Sequence, residues 1–356
     1  MDRFDIVIVG GGIAGASLGA ALAGRARVLI LEAEEQCGMH STGRSAAFWH
    51  EGYGGPGVVG LSRASRPILA AGGFLDPRGA IHIGHDGSDF DIVEGVATTP
   101  LERTGLEQRI PGIRPEWTHG LDEPGLADID VAALHAAFLG RVRRGGGVRT
   151  DSPLASARRK GDGWTIILAG GGEIGAGVLV NAAGAWADEI ARRCGITPLG
   201  IVPKRRTMVQ LRVGREGLSR LPLIADGAGQ FYFKGAGDRV LWLSPHDEID
   251  AEPGDAAPEE IDIAIAIDRF ESAVDWPVER VERSWAGLRS FASDRLPLFG
   301  FDRDVASFFW CAGQGGFGIQ TAPAAGLLCA GLVLGEAPDP AVATIDPAPF
   351  DPKRFG

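Results

Sequence analysis

Residues Asp5–Val9 (DIVIV) are a short, near-continuous apolar run, the pattern of a strand covered on both faces. Small, helix-prone residues follow from Ala14 to Ala23. A second apolar run, Arg27–Leu31 (RVLIL), ends at Glu32. The pattern predicts strand, helix, strand. Two later apolar runs, GVLV before Asn181 and SFFWCAG near the C-terminus, each lead through a small-residue turn into a helix-prone stretch. Between them the character changes. Ile81–His85 reads as a strand with Ala80, His82 and Gly84 on one face. MVQLRV, GQFYFKG and VLWLS read as antiparallel strands, with a helix near Pro258–Phe270. Ala127–Arg144 reads as an amphipathic helix capped by Asp128 or Asp130.

The strand–turn–helix pieces therefore come from the start, middle and end of the chain. The expected fold is a Rossmann-like α/β domain (1–75, 127–200 and 284–356) beside a discontinuous α+β domain on a mixed, largely antiparallel sheet (76–126 and 201–283). The chain has 356 residues, enough for two such cores.

Gly10, Gly12 and Gly15 give the first turn chemical meaning. The first permits a tight turn, the second lets a pyrophosphate approach the backbone, and the third lets helix and strand pack closely. Ile13 and Ala14 begin a helix whose N-terminal amides favour phosphate. Glu32, followed by Ala33, can accept both ribose hydroxyls and would repel a 2′-phosphate. Ser41, Thr42 and Ser45 can cap a helix through Ala46 and Ala47, or can contact pyrophosphate and flavin together with Arg44. Ala183 and Gly184 before Trp186 repeat the turn-into-helix logic. So does the stretch Gly315, Gly316, Phe317, Gly318, Ile319, Gln320, Thr321.

Composition narrows the class. A net charge of −11 and a pI near 5.2 argue against a nucleic-acid surface. No run of 18 apolar residues suggests a membrane span, and the N-terminus lacks the basic start of a signal peptide. The four cysteines show no metal-ligand spacing, so reduced core thiols, no metal and a cytoplasmic location, with peripheral inner-membrane association as the variant, are expected.

The motifs GGGIAGAS…LE, HSTGRSAA, ADIDVAALH, VNAAGAWAD, PKRR, FYFK, WAGLRSF and GQGGFGIQT, in this order, resemble the FAD-dependent D-amino-acid oxidase/dehydrogenase superfamily, which includes glycine and sarcosine oxidases. Within it they are most similar to the bacterial D-arginine dehydrogenase type. The resemblance implies noncovalent FAD, a small amino-acid substrate at the domain junction, and oxidation to the imino acid by hydride transfer from Cα to flavin N5. It implies site residues Tyr53, Arg206, Tyr232, Arg289 and Gly316, with Phe48, His50, Ala80, His82 and Gln320 around the substrate. The chain has only two tyrosines against 16 phenylalanines, and both fall at these positions. The arginines can clamp a carboxylate, the tyrosine hydroxyls can orient it, and the Gly316 carbonyl can accept from the amine.

Arginine-type members carry an acid where Ala80 stands and a histidine where Phe48 stands. The side-chain pocket is therefore expected to be partly apolar, with no fixed negative charge. A secondary-amine oxidase and a flavin-binding subunit that needs a partner are the other readings. A quinone or dye is expected as electron acceptor rather than oxygen.

Overall fold

The computed structural model describes residues 2–87, 90 and 92–355. Its first strand, Asp2–Val9, pairs in parallel with Val28–Leu31 on one side and Glu173–Asn181 on the other. Gly146–Arg149 and Phe308–Ala312 extend the parallel part. Leu154–Lys160, Gly163–Leu168 and Leu298–Phe301 add antiparallel strands, giving eight strands among the described residues. Helices Ile13–Leu22, Val131–Gly145 and Gly318–Leu334 bury one face of this sheet. Trp164, Phe308, Trp310 and the helix Ala187–Arg193 bury the other. Helix Ile13–Leu22 is apolar nearly all round because it lies between the sheet and two other helices.

The second sheet has nine strands among the described residues. Val202–Val213 pairs antiparallel with Val278–Phe291 along its whole length. Val240–Ser244, Tyr232–Gly237 and Leu223–Asp226 follow outward, and Ala80–Gly84 joins in parallel next to His119–Glu123. Helix Glu260–Ala273 covers one face through Ala266, Phe270 and Ala273. A small sheet of Phe48–Trp49, Ala127–Ile129 and Leu75–Pro77 lies between the two large ones. Asp128 ties it down, accepting from Lys234 Nζ at 2.7 Å and Arg78 Nε at 2.5 Å. Such a part-buried network is stable only because each charge has a partner.

Three expectations change here, and one helix is new. Strand Val278–Phe291 runs unbroken through position 284, so the expected boundary cuts a strand of the second sheet. Ala127–Ile129 is a strand, and the helix begins at Val131 with Asp130 as its cap, accepting from the Ala133 amide at 2.9 Å. Residues 41–44 form turns and 45–47 are irregular, with no helix, and Ala47 sits at φ +59°. Helix Pro56–Ala71 was not anticipated; Gly57, Gly60 and Pro67 hide the helical spacing of Val58, Leu61, Ser65 and Leu69. Among the described residues, no helix is long and apolar enough to cross a membrane.

Candidate active site

One cavity of about 340 Å³ runs from the end of the first strand to the junction of the two large sheets. Its near end is made by backbone. Gly10 has φ +107°, and a β-carbon there would lie 2.4 Å from the Ala182 carbonyl oxygen. A β-carbon on Gly15 would lie 2.0 Å from the Gly10 oxygen, so Gly15 serves helix packing and does not line the cavity. The Ile13 amide donates to Thr42 Oγ1 at 3.0 Å. Glu32 is buried, with Oε2 accepting from the Gly11 amide at 2.8 Å and Oε1 from the Glu34 amide at 3.1 Å. Two amides fix the carboxylate and leave lone pairs for ligand hydroxyls. His135 Nε2 lies 2.8 Å from the Gly11 carbonyl, and burial pushes its pKa down, so a neutral ring donates here.

Gly10, Gly12, Ile13, Ala14, Glu32, Ala33, Ser41, Thr42, Ser45, Ala183, Gly184, Trp186, Gly315, Gly316, Gly318 and Ile319 all line this cavity. The other expected cofactor contacts are placed elsewhere. Arg44 turns outward to Asp255 and to the carbonyls of Ala256 and Ala286. Ala46 packs with Met208 and Tyr232 in the core of the second domain, and the strained Ala47 amide is held by Ser45 Oγ at 3.0 Å. Phe317 packs against Val58 and Phe291. Thr321 returns its hydroxyl to the Phe317 carbonyl. Met39, Leu288, Ser290 and Gln314 line the cavity without having been anticipated. Gln314 lies inside a glycine-rich turn that marked it; the others carry no local signal.

The far end is made by charged side chains. Arg289, on strand Val278–Phe291, lines the cavity and is 8% exposed. Its Nη2 donates to the Arg44 carbonyl at 3.1 Å, and its buried Nη1 has no partner. Burial, then the neighbouring Arg206 charge, pulls its pKa below the ordinary value. A guanidinium with an idle, buried N–H is a site for an anion, since leaving that hydrogen unbonded is costly. Arg206 differs. Its Nε donates to the Asp247 carbonyl at 2.7 Å, Nη2 to Glu248 at 2.9 Å and Nη1 to the Tyr53 hydroxyl at 3.3 Å. Its hydrogens are largely committed, so it holds Tyr53 and supplies field more than grip.

Four rings stand in a closed circuit. Phe48 lies 6.1 Å from Tyr53 and 5.6 Å from Tyr232; His246 lies 6.3 Å and 5.8 Å from the same two. Burial, then the Arg206 charge, pushes the His246 pKa down to about 4, so the ring is neutral at pH 7. Burial also raises the Tyr232 pKa, keeping that hydroxyl protonated. The Tyr53 hydroxyl sits over Gly316, where an added β-carbon would come within 2.3 Å of it. Gln320 does not line the main cavity. It receives the His50 amide at 3.0 Å and donates to the Tyr53 carbonyl at 3.2 Å and Ser62 Oγ at 2.8 Å, fixing the loop that carries Tyr53.

The surroundings of Ala80 differ from expectation. Ala80 is fully buried among Met208, Leu223 and Tyr232 and lines neither the main cavity nor the smaller one beside His50 and His82. A buried acid, Glu123, stands opposite it and lines the smaller cavity, not the main one. It pairs directly across from Ala80, is 1% exposed, and accepts from His82 at 2.9 Å and His50 at 3.0 Å through the same oxygen. Burial raises its pKa, but the two imidazoles outweigh this and hold it at about 2. Glu51 and Asp247, the other nearby acids, are taken by Arg63 and Thr207.

The glycine cradle, the anchored Glu32 and the cavity between them fit a dinucleotide. A family model, FAD dependent oxidoreductase (DAO), matches residues 5–332. The chain belongs to the DAO family of FAD-dependent oxidoreductases. FAD is accordingly its cofactor. The chain is 26% identical to mitochondrial dimethylglycine dehydrogenase of Rattus norvegicus over 399 residues, covering all of this chain and 45% of that protein. It thus spans about half the length of that relative. It is 26% identical to glycine oxidase of Pseudomonas aeruginosa over 262 residues, covering 72% of this chain and 68% of that one. Among solved structures, glycine oxidase from Geobacillus kaustophilus matches with a TM-score of 0.82 at 22% identity, over 99% of this chain and 98% of that one, a likeness of fold.

Proposed function

We propose that this DAO-family protein oxidises the amine of a small, free α-amino carboxylate, a D-amino acid, to the imino acid, which water converts to the 2-oxo acid and ammonia. The observation that carries this reading is the unpartnered, buried Nη1 of Arg289 at the junction end of the cofactor cavity. Arg289 receives the carboxylate. Tyr53 and Tyr232 add hydroxyl bonds, and Arg206 keeps Tyr53 aimed. The Gly316 carbonyl is the acceptor assigned to the amine. His246 donates Nδ1–H to the Gly229 carbonyl and, with its pKa held down to about 4, offers only a weak base at Nε2, so the amine loses its proton to water. FAD, when bound, supplies the two-electron acceptor.

A second reading, oxidation of an N-substituted glycine, is favoured by the closed ring circuit, which suits an N-methyl group, and by the similarity, along all of this chain, to about half of dimethylglycine dehydrogenase. Arginine-type specificity fits less well, because Glu123, the acid opposite Ala80, lines the smaller cavity and already serves two imidazoles. An apolar D-amino acid is expected to exceed D-arginine in kcat/KM. Anaerobic addition of D-, L- and N-methyl amino acids separates the readings. Bleaching of the flavin band by D-forms alone supports the first; bleaching by N-methyl substrates alone replaces it with the second. No bleaching by either leaves neither standing and points to a subunit that needs a partner. Heat or acid should release free FAD. Flavin remaining with the precipitate would refute noncovalent attachment. Hydrogen peroxide formed as fast as dye is reduced would reverse the proposed preference for a quinone over oxygen.

A further inference from the structure

Three donor atoms converge beside the junction and take no part in the chemistry above. His50 Nε2 and His82 Nε2 lie 3.0 and 2.9 Å from Glu123 Oε2, and the ligand atoms of all three residues fall within 4.8 Å of one another. They come from three separate segments, and each is held from outside the cluster. His82 and Glu123 sit on paired strands. The His50 amide donates to Gln320, and its ring stacks at 10° on Tyr53. The second oxygen, Glu123 Oε1, is buried with no partner. An ionised oxygen in that condition is costly unless something arrives to meet it. A cavity of about 60 Å³ adjoins the cluster, walled by Phe90, Ile92 and Val93 and lined by all three donors.

We propose that His50, His82 and Glu123 bind a divalent transition cation of the zinc type, with the adjoining cavity leaving one position for water. Two imidazole nitrogens and one carboxylate suit Zn²⁺ and Co²⁺; Ca²⁺ and Mg²⁺ call for shells made mostly of oxygen. Three protein ligands with a fourth position left for water is a common zinc coordination, distinct from the closed four-ligand shell of purely structural sites. Bond lengths near 2.0–2.2 Å place donors roughly 3.3 Å apart in a tetrahedral shell. The 2.9 and 3.0 Å separations need open by only a few tenths of an ångström. Each Nε2 gives its lone pair to the cation, and the ring proton it now donates to Glu123 moves to Nδ1. No bond to the cofactor and no change of oxidation state is involved.

The test uses the full chain loaded with FAD, stripped of metal by chelator and titrated calorimetrically with Zn²⁺. Co²⁺ serves as the visible-absorbing probe. One equivalent should bind, and Zn²⁺ should displace Co²⁺. His82→Ala and Glu123→Gln should each weaken binding by about 100-fold or more, at or beyond the 10–100-fold lost with a merely supporting group. His85→Ala should leave it unchanged. A normal flavin spectrum in each variant shows that it has folded; His50→Gln, on a loop, replaces any that has not. Absence of saturable binding, or affinity unaltered in both ligand variants, overturns the site. So does a third result: no Zn²⁺ binding, but a raised KM for cationic D-amino acids in Glu123→Gln, which would assign the idle oxygen to a substrate cation.

Discussion

The two ends of the main cavity are built from different material. The end at Gly10 and Glu32 is backbone held by backbone: a left-handed glycine, close contacts that exclude any β-carbon, and amides that pin one carboxylate. The junction end is a set of long side chains brought from four distant segments, with Arg289 and Arg206 on neighbouring strands and the tyrosines on a loop and a third strand. A backbone cradle is specified by short small-residue stretches, each marked in the sequence, and tolerates little change. A side-chain site is specified by register, and its members can be exchanged singly while the fold stays intact.

The comparison predicts a clean separation of effects. Arg289→Ala should lower kcat/KM by some 30- to several-thousand-fold, the 2–5 kcal/mol typical of breaking one partner of a desolvated charge pair, about a decade per 1.4 kcal/mol. Its FAD content and flavin spectrum should match wild type. Activity within threefold of wild type would make Arg289 a structural residue. Glu32→Ala should do the reverse, weakening FAD retention by roughly 1.5–3 kcal/mol, or about 10- to 150-fold in Kd, while protein saturated with FAD turns over near the normal rate. Equal FAD affinity in that variant would remove Glu32 from the cradle. The smallest effect is expected at His246. Its folded pKa is about 4 against an ordinary 6.5, so the unfolded chain takes up a proton that the folded one refuses. This contribution is absent above pH 6.5, and stability falls as pH drops from 6.5 toward 4. Thermal melts of wild type and His246→Gln across that window should show the shallower slope in the variant; parallel slopes would show that the ring is not buried as described.

Most of the first sheet was legible because its strands are uninterrupted apolar runs, and its three turns are marked by small residues. Some antiparallel strands, such as those around MVQLRV, GQFYFKG and VLWLS, were equally plain; Leu154–Lys160, Leu223–Asp226, His119–Glu123 and Val278–Phe291 were not, because charged residues and glycines break their alternation. Helix Pro56–Ala71 escaped because two glycines and a proline lower its propensity, and packing on Gly318–Leu334 outweighs them. Arg44 and Gln320 were misplaced for a common reason. Both stand within motifs whose neighbours face the cavity, and which way a long polar side chain turns depends on partners such as Asp255 and Ser62 far along the chain. Glu123 had no local signal at all. Only the pairing of Ala80–Gly84 with His119–Glu123 puts an acid opposite Ala80 and against His82.

The strands Val202–Val213 and Val278–Phe291 leave the first domain side by side, with Val202 paired to Phe291 at the crossing. A single covalent linker would act as a swivel. Two hydrogen-bonded strands act as a splint: swinging the domains apart would unzip a ladder that also carries both Arg206 and Arg289. On the proposed reading, the two arginines are thus placed at folding and not anew at each turnover. The loops that carry Tyr53 and His246 lie outside that ladder, so a movement there would leave it intact.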